Sequence, residues 1–393
     1  MKILGGAGVI VLALGAVVGS GFLVRNFVSD LATAENGMRR VVEVKDEKTG
    51  PSAEELVQMA RERSSRVKGV YMTALVASDR GRAATKLRNN IVRLLDTTEL
   101  NGVVIDVKET DGVFLPESLK EFVAELHQKD IWVIARLVVF NDTVEAKKRP
   151  EIALKRANGK LWLDQRNNAW LDPASPKAWE YVAGIAKKAI DYGFDEIQFD
   201  YIRFPSDGDV ENIVYPVFSP RTQQKYNVLR DFFGYMRREL KAYKPDVILS
   251  VDLFGHVAIQ KSDLGIGQRM EDLGDSFDYI SFMLYPSHYY TGFNVPADPE
   301  RGLPALNYLY KSTNIAKVVS NHPYDVVYRS LLIASDFLSG KDVFSKATTT
   351  PPSARPATTT PPKEKPILTP RSKAKLRPWL QNFDLAVDTA RGI

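Results

Sequence analysis

Residues Phe194 to Gly208 read Phe-Asp-Glu-Ile-Gln-Phe-Asp-Tyr-Ile-Arg-Phe-Pro-Ser-Asp-Gly. The stretch begins as a strand and ends as a loop. Ile197, Phe199 and Tyr201 alternate with Gln198 and Asp200, the period-2 pattern of an extended segment. Pro205 and then Asp207-Gly208 stop it. Asp200 is therefore placed near the carboxyl end of a strand, with Arg203 three residues on. In a parallel α/β sheet that end is where ligands and catalysis are found.

Working outward, strand and helix alternate on both sides. Strands are expected over Val67–Val76, Gly102–Val107, Ile131–Phe140, Val247–Phe254 and Tyr279–Tyr285. Helical spacing marks Ala83–Leu95, Ser118–Lys129, Lys177–Tyr192 with Ser175 as its cap, Gln223–Tyr243 and Tyr324–Leu338. A long connection from Asn141 to Pro176 carries Trp162, Trp170 and Asp172-Pro173. More than five strand-helix units in series imply a parallel sheet and favour a (β/α)8 TIM-type barrel over an open sheet. Ala347–Lys365, with Thr-Thr-Thr-Pro-Pro twice, has the composition of a disordered insertion. Leu376–Leu385 then returns to strand-like composition.

The chain has 393 residues, a net charge of +5 and no cysteine. Scattered Lys and Arg leave no nucleic-acid footprint. The absence of Cys excludes disulfides and thiolate chemistry. The four histidines, His127, His256, His288 and His322, have no metal-ligand spacing, so neither a metal nor another cofactor is expected. Ile3–Val24 is an uncharged apolar run of spanning length, flanked by Lys2 and Arg25. It reads as a signal-anchor or a signal peptide, with Ala32–Ala34 resembling a cleavage site. Either reading sends the rest across the membrane, giving a membrane-anchored or secreted, extracytoplasmic protein. The organisation expected is an export segment over 1–29, a spacer over 30–66, helical in part over Ser52–Arg63, and a barrel over 67–393.

Polar residues gather near the carboxyl ends of the strands. They are Asp106 and Lys108, Arg136, Gln198 with Asp200 and Arg203, Ser250 with Asp252, and Tyr285 with His288. Such residues are costly within apolar strands unless paired or functional. Alternation puts Asp106 and Lys108 on one face, where they read as substrate contacts or, more readily, as a buried ion pair. Paired carboxylates on one rim suit glycoside hydrolysis, in which one protonates the leaving oxygen and the other attacks carbon or activates water. Asp200 is the nucleophile or base candidate and Asp252 the acid. Arg203 beside Asp200 would keep it ionised. Trp162 and Trp170, with Tyr201, Tyr285, Tyr289 and Tyr290, offer flat faces for sugars, although loop core is the commoner fate of such tryptophans. His288 reads as a binding residue rather than a base.

Six pieces of the chain resemble one bacterial family of glycoside hydrolases with an α-amylase-like (β/α)8 barrel. They are Lys68-Gly-Val-Tyr-Met-Thr, Gly102-Val-Val-Ile-Asp-Val-Lys, Trp170-Leu-Asp-Pro, Phe194 to Pro205, Tyr285-Pro-Ser-His-Tyr and Arg377-Pro-Trp-Leu-Gln. The resemblance spans Lys68 to Leu385 apart from the insertion. It implies a site at the carboxyl rim, a carbohydrate substrate, and Gln381 among the binding residues. The α-amylase layout puts the nucleophile at the end of strand four, matching Asp200, and the acid at the end of strand five, matching Asp252, though with Glu as the acid. The resemblance also implies an Asp where this chain has Asn382, with Asp384 nearby, and a final strand beyond the Pro-Trp-Leu-Gln motif. On that reading Leu376–Leu385 is strand seven and the barrel lacks its last β/α unit. The competing count makes Ile315–Ser320 strand seven and Leu376–Leu385 strand eight. The expected function is cleavage of an extracellular or cell-envelope polysaccharide. The alternatives are a non-catalytic carbohydrate-binding barrel and a structural envelope protein.

Overall fold

The computed structural model describes residues 50–311, 317–344 and 368–382. The apolar run Ile3–Val24, the insertion Ala347–Lys365, Ile315 and Asp384 lie outside the described residues. No helix among the described residues is long and apolar enough to cross a membrane.

Seven parallel strands follow one another in chain order across one curled sheet. They are β1 (Gly69–Met72), β2 (Gly102–Glu109), β3 (Trp132–Val138), β4 (Glu196–Asp200), β5 (Ile248–Phe254), β6 (Tyr279–Leu284) and β7. β7 comes in two pieces, Lys375–Leu376 and Trp379–Leu380, both paired with β6 in one unbroken register. Pro378 has no amide hydrogen to donate, which accounts for the break. The first and last strands approach across the sheet's opening, where the Tyr71 and Trp379 rings stand edge-on at 6.2 Å between centroids. This is α/β barrel architecture, with seven parallel strands among the described residues.

β7 lies directly beside β6, so the Leu376 segment takes the seventh place. That corrects the count in which Ile315–Ser320 supplied it. The described part of that stretch forms a bridge from Val318 to Leu309 and a tight turn at Val319–Asn321, away from the main sheet. Val67–Val76 is not one strand either. β1 ends at Met72, and the Thr73 hydroxyl accepts the Val76 amide to start a short helix, Ala74–Ser78.

The two faces of the sheet bury different residues. Val103, Ile105, Val133, Leu137, Ile197, Phe199, Leu249, Val251, Ile280 and Phe282 join the main core under the surrounding helices. Their alternates Val104, Trp132, Ile134, Ile248 and Tyr279 form a small separate cluster inside the curl. The longest helix, Lys225–Tyr243, shows why these segments are helical. Val228, Leu229, Phe232, Phe233, Met236 and Leu240 make one buried stripe at helical spacing. Pro176 occupies the first turn of Pro176–Asp191, where its missing N–H costs nothing; the expected cap, Ser175, makes no side-chain bond to the helix.

The stretch read as a spacer contains α1 (Ala53–Ser64), started by a capping box between Ser52 and Glu55. Its Ser64 hydroxyl lies 3.1 Å from the Tyr279 hydroxyl, and Ala60 packs on the inner cluster. α1 thus covers the amino-terminal end of the strands as part of the barrel body.

Candidate active site

Strand register brings the polar residues together. Asp106, Arg136, Gln198 and Ser250 are successive cross-strand partners on β2 to β5. Asp200 is the last residue of β4, and Asp252 lies two residues beyond Ser250 on β5. Asp106, Arg136, Asp200 and Asp252 lie in the carboxyl halves of their strands, Gln198 and Ser250 one layer below, all on the inner face.

Arg136 is the hub. Its Nη1 lies 2.6 Å from Asp106 Oδ1, its Nη2 pairs with Asp200 Oδ2, and its Nε is 3.6 Å from Asp252 Oδ2. Burial works against the Arg136 charge, but Asp200, Asp106 and Asp252 outweigh it and hold the guanidinium protonated more firmly than usual. The hub is open on one side only. The side chains of Arg136 and Asp200 are 16% and 7% exposed, those of Asp106 and Asp252 only 1%.

The three carboxylates differ in their remaining partners. Asp106 accepts the Tyr71 hydroxyl from β1. Asp200 accepts the amide of Tyr201, whose φ of +51° is rare for a bulky side chain and turns the chain sharply at the end of β4. Asp252 accepts the Trp379 indole N–H at 2.9 Å, while its Oδ2 has no hydrogen-bond partner among the described residues. Burial, and then the charge of Asp200, push the Asp252 carboxyl well above the usual range; Arg136 and Trp379 oppose this without reversing it. Asp252 therefore keeps its proton at pH values where an ordinary carboxyl has lost it. Gln198 donates to Ser281 Oγ at 3.2 Å, leaving its own Oε1 and Ser250 Oγ buried without partners among the described residues. Among the described residues no group of three His, Cys, Asp or Glu side chains could hold a metal ion.

Tyr285, His288 and Gln381 form the loop edge beside this hub. Ser287 donates through its amide and hydroxyl to Gln381 Oε1, at 3.3 and 2.9 Å, and its hydroxyl lies 3.0 Å from His288 Nδ1. The Tyr285 hydroxyl is held protonated by burial, with the charges of Asp252 and Asp200 adding to the effect.

Four expected site residues lie elsewhere. A register shift between Asp106 and Lys108 breaks the alternation, so the two do not share a face. Lys108 instead pairs with Asp142 at 2.9 Å, both wholly buried, and Asp142 also accepts the Tyr181 hydroxyl. Arg203 does not pair with Asp200. Its guanidinium donates to Phe204 O and Ser206 Oγ and sits about 5 Å from the rings of Trp170, Tyr201 and Phe254. Arg136 is the cation that pairs with Asp200 instead. Trp162 and Trp170 are loop core, with no face left for a sugar. Trp162 is 0% exposed and donates to Asp209 O; Trp170 is 1% exposed and donates to Asp164. In contrast, Tyr71 and Trp379 touch the cluster unforeseen. Each sits in a quoted motif, but neither motif shows that β1 and β7 would face each other.

Residues 113–356 match the family model described as "putative glycosyl hydrolase domain". The chain belongs to this family. Arg136, Asp200 and Asp252 lie inside the matched residues of the glycosyl hydrolase domain, and Tyr71, Asp106 and Trp379 outside them. No curated protein matches the chain. Among solved structures, a hypothetical protein from Ruminiclostridium thermocellum is 32% identical over 50% of this chain and 98% of its own, with a TM-score of 0.41. An α-galactosidase from Thermus thermophilus is 16% identical over 51% of this chain and 42% of its own, with a TM-score of 0.35. A maltogenic α-amylase from Thermotoga neapolitana is 14% identical over 55% and 48%, with a TM-score of 0.36. The chain thus spans less than half the length of these two enzymes. The superpositions are partial, and family membership rests on the sequence match.

Proposed function

We propose that the chain is a glycoside hydrolase whose reaction centre is the Arg136 cluster. The observation that carries the reading is one guanidinium joining Asp200, at the strand end, to Asp252, a carboxyl whose burial favours its protonated form. An environment that favours the neutral form of one acid suits it to donate a proton. Asp252 is the proton donor to the glycosidic oxygen as the C–O bond breaks. Asp200, paired with Arg136, is the group that attacks the anomeric carbon or takes the proton of an attacking water. Arg136 holds both in place, and Tyr285, His288 and Gln381 line the approach.

A second reading has its own support. Asp252 is almost wholly buried, and Asn382 stands, exposed, where the family resemblance implies an Asp. Both favour a barrel that binds carbohydrate without cleaving it. The two readings separate on a panel of envelope and extracellular polysaccharides, with binding and release of reducing ends measured side by side. Hydrolysis of at least one glycan supports the enzyme; binding without cleavage across the panel supports the alternative.

The apolar run Ile3–Val24 supports an extracytoplasmic placement, anchored or secreted, and with it an envelope or extracellular glycan as substrate. Alkaline carbonate extraction of membranes tests the anchor: the uncleaved chain should stay in the pellet, and its release would count against an integral span.

A further inference from the structure

At the opposite end of the strands a cavity of about 340 Å3 lies between α1, the Lys225–Tyr243 helix and the starts of β5, β6 and β7. Four cations line it: Arg61, Arg237, Lys373 and Lys375. They come from three separate parts of the sequence, and none of their side chains has an ion-pair partner among the described residues. Arg237 Nη1 is fully buried and makes no hydrogen bond among the described residues. A guanidinium donor left dry and unpaired is costly, and so is bringing like charges together, unless an anion offsets both.

The carboxylates present do not balance this charge. Asp278 is engaged by Lys241 Nζ at 3.0 Å and by the Leu249 amide. Asp275 accepts the Lys373 backbone amide at 2.9 Å. Counting Lys241, five cations face two carboxylates. Lys241 registers the excess: burial lowers its affinity for a proton, and the nearby Arg237 and Arg61 charges lower it further against the pull of Asp278. The cavity wall also carries Ser64 and Tyr279, whose hydroxyls meet there, and the ring of Phe277. The volume is in the range of small-molecule sites.

We propose that this cavity binds a phosphate group, the tetrahedral dianion that two guanidiniums, two ammoniums and neighbouring hydroxyls are suited to hold. The ligand carries it either as free phosphate or as a phosphate monoester of a sugar. The site is distinct from the Arg136 cluster. Ile248 in the cavity wall and Asp252 in the cluster are four residues apart on β5, roughly 13 Å along the strand.

Calorimetric titration of the full chain with inorganic phosphate, glucose 6-phosphate and glucose tests this. Phosphate should bind at one site per chain and glucose not at all. Tighter binding of glucose 6-phosphate than of phosphate identifies a sugar phosphate as the ligand, and equal binding identifies the free ion. Arg237→Gln/Lys375→Gln should weaken the anion at least tenfold. The exposed pair Lys373→Gln/Lys375→Gln should do so with the near-ultraviolet circular dichroism unchanged. Lys86→Gln, on the Arg82–Thr97 helix, should have no effect. The proposal is overturned if neither anion binds the parent at millimolar concentration, or if the double variants bind as tightly as the parent.

Discussion

Replacing Arg136 by Gln removes the one cation that Asp106, Asp200 and Asp252 share. Breaking a buried ion pair by taking away one partner costs about 3–5 kcal/mol, because the other charge stays buried. Asp252 adds less to that cost, because burial already favours its neutral form. Asp106 keeps the Tyr71 hydroxyl and Asp200 the Tyr201 amide, so neither is bare. The penalty has a ceiling, because a stranded carboxylate can take up a proton. Protonating a group with an ordinary carboxyl affinity costs about 5 kcal/mol at pH 7.5 and only about 1.5 kcal/mol at pH 5. With two carboxylates stranded, the expected loss of stability is therefore about 3–5 kcal/mol at pH 7.5, capped at about 3 kcal/mol at pH 5, about 1.5 for each. The sign follows because the variant's carboxyls bind protons more tightly folded than unfolded, so its stability falls as pH rises. Urea unfolding followed by tryptophan fluorescence at the two pH values measures both numbers. A loss under about 1 kcal/mol at pH 7.5, or an equal loss at both, would refute Arg136 as the electrostatic centre of the cluster.

Two further perturbations follow from the same structure. Asp252→Asn should stabilise the chain increasingly as pH rises. The unfolded carboxyl ionises near 3.8 while the folded one holds its proton far longer, so the parent loses stability on going up through that window and the variant does not; melting curves from pH 4 to pH 8 should diverge, and parallel curves would mean Asp252 titrates normally. Replacing Ala347–Lys365 by a short Gly/Ser bridge should leave the melting temperature within about 2–4 °C, because loop length has a small thermodynamic effect. The flanks are already tied by Arg371, which donates to Phe337 O and Lys341 O. A loss of the cooperative transition would show that the insertion is part of the core.

What the sequence conveyed was local. Alternation located β4, apolar runs located β2, β3, β5 and β6, and helical spacing located the long helices, because each pattern follows from which faces are buried. The same rule marked Asp200 and Asp252 by their place in apolar strands. It failed wherever a single residue changed the backbone. The bulge after Asp106 sent Lys108 to Asp142, and the left-handed turn at Tyr201 separated Arg203 from Asp200. Trp162 and Trp170 resembled ligand platforms because nothing local reveals that the long connection after β3 folds into its own small core. The central part of Arg136 was hidden for a different reason. It depends on the register of four strands, and the contributions of Tyr71 and Trp379 depend on the curl that brings β1 opposite β7.

The reaction assignment rests on Asp200, and turnover by Asp200→Asn tests it most directly. The substitution keeps the shape and can still accept the Tyr201 amide, but removes the charge at the developing oxocarbenium centre. On a glycan that the parent cleaves, kcat should fall by roughly 10³-fold or more, equivalent to about 4 kcal/mol of transition-state stabilisation, while binding of the glycan changes little. Hydrolysis by Asp200→Asn at the parent's rate would contradict the account.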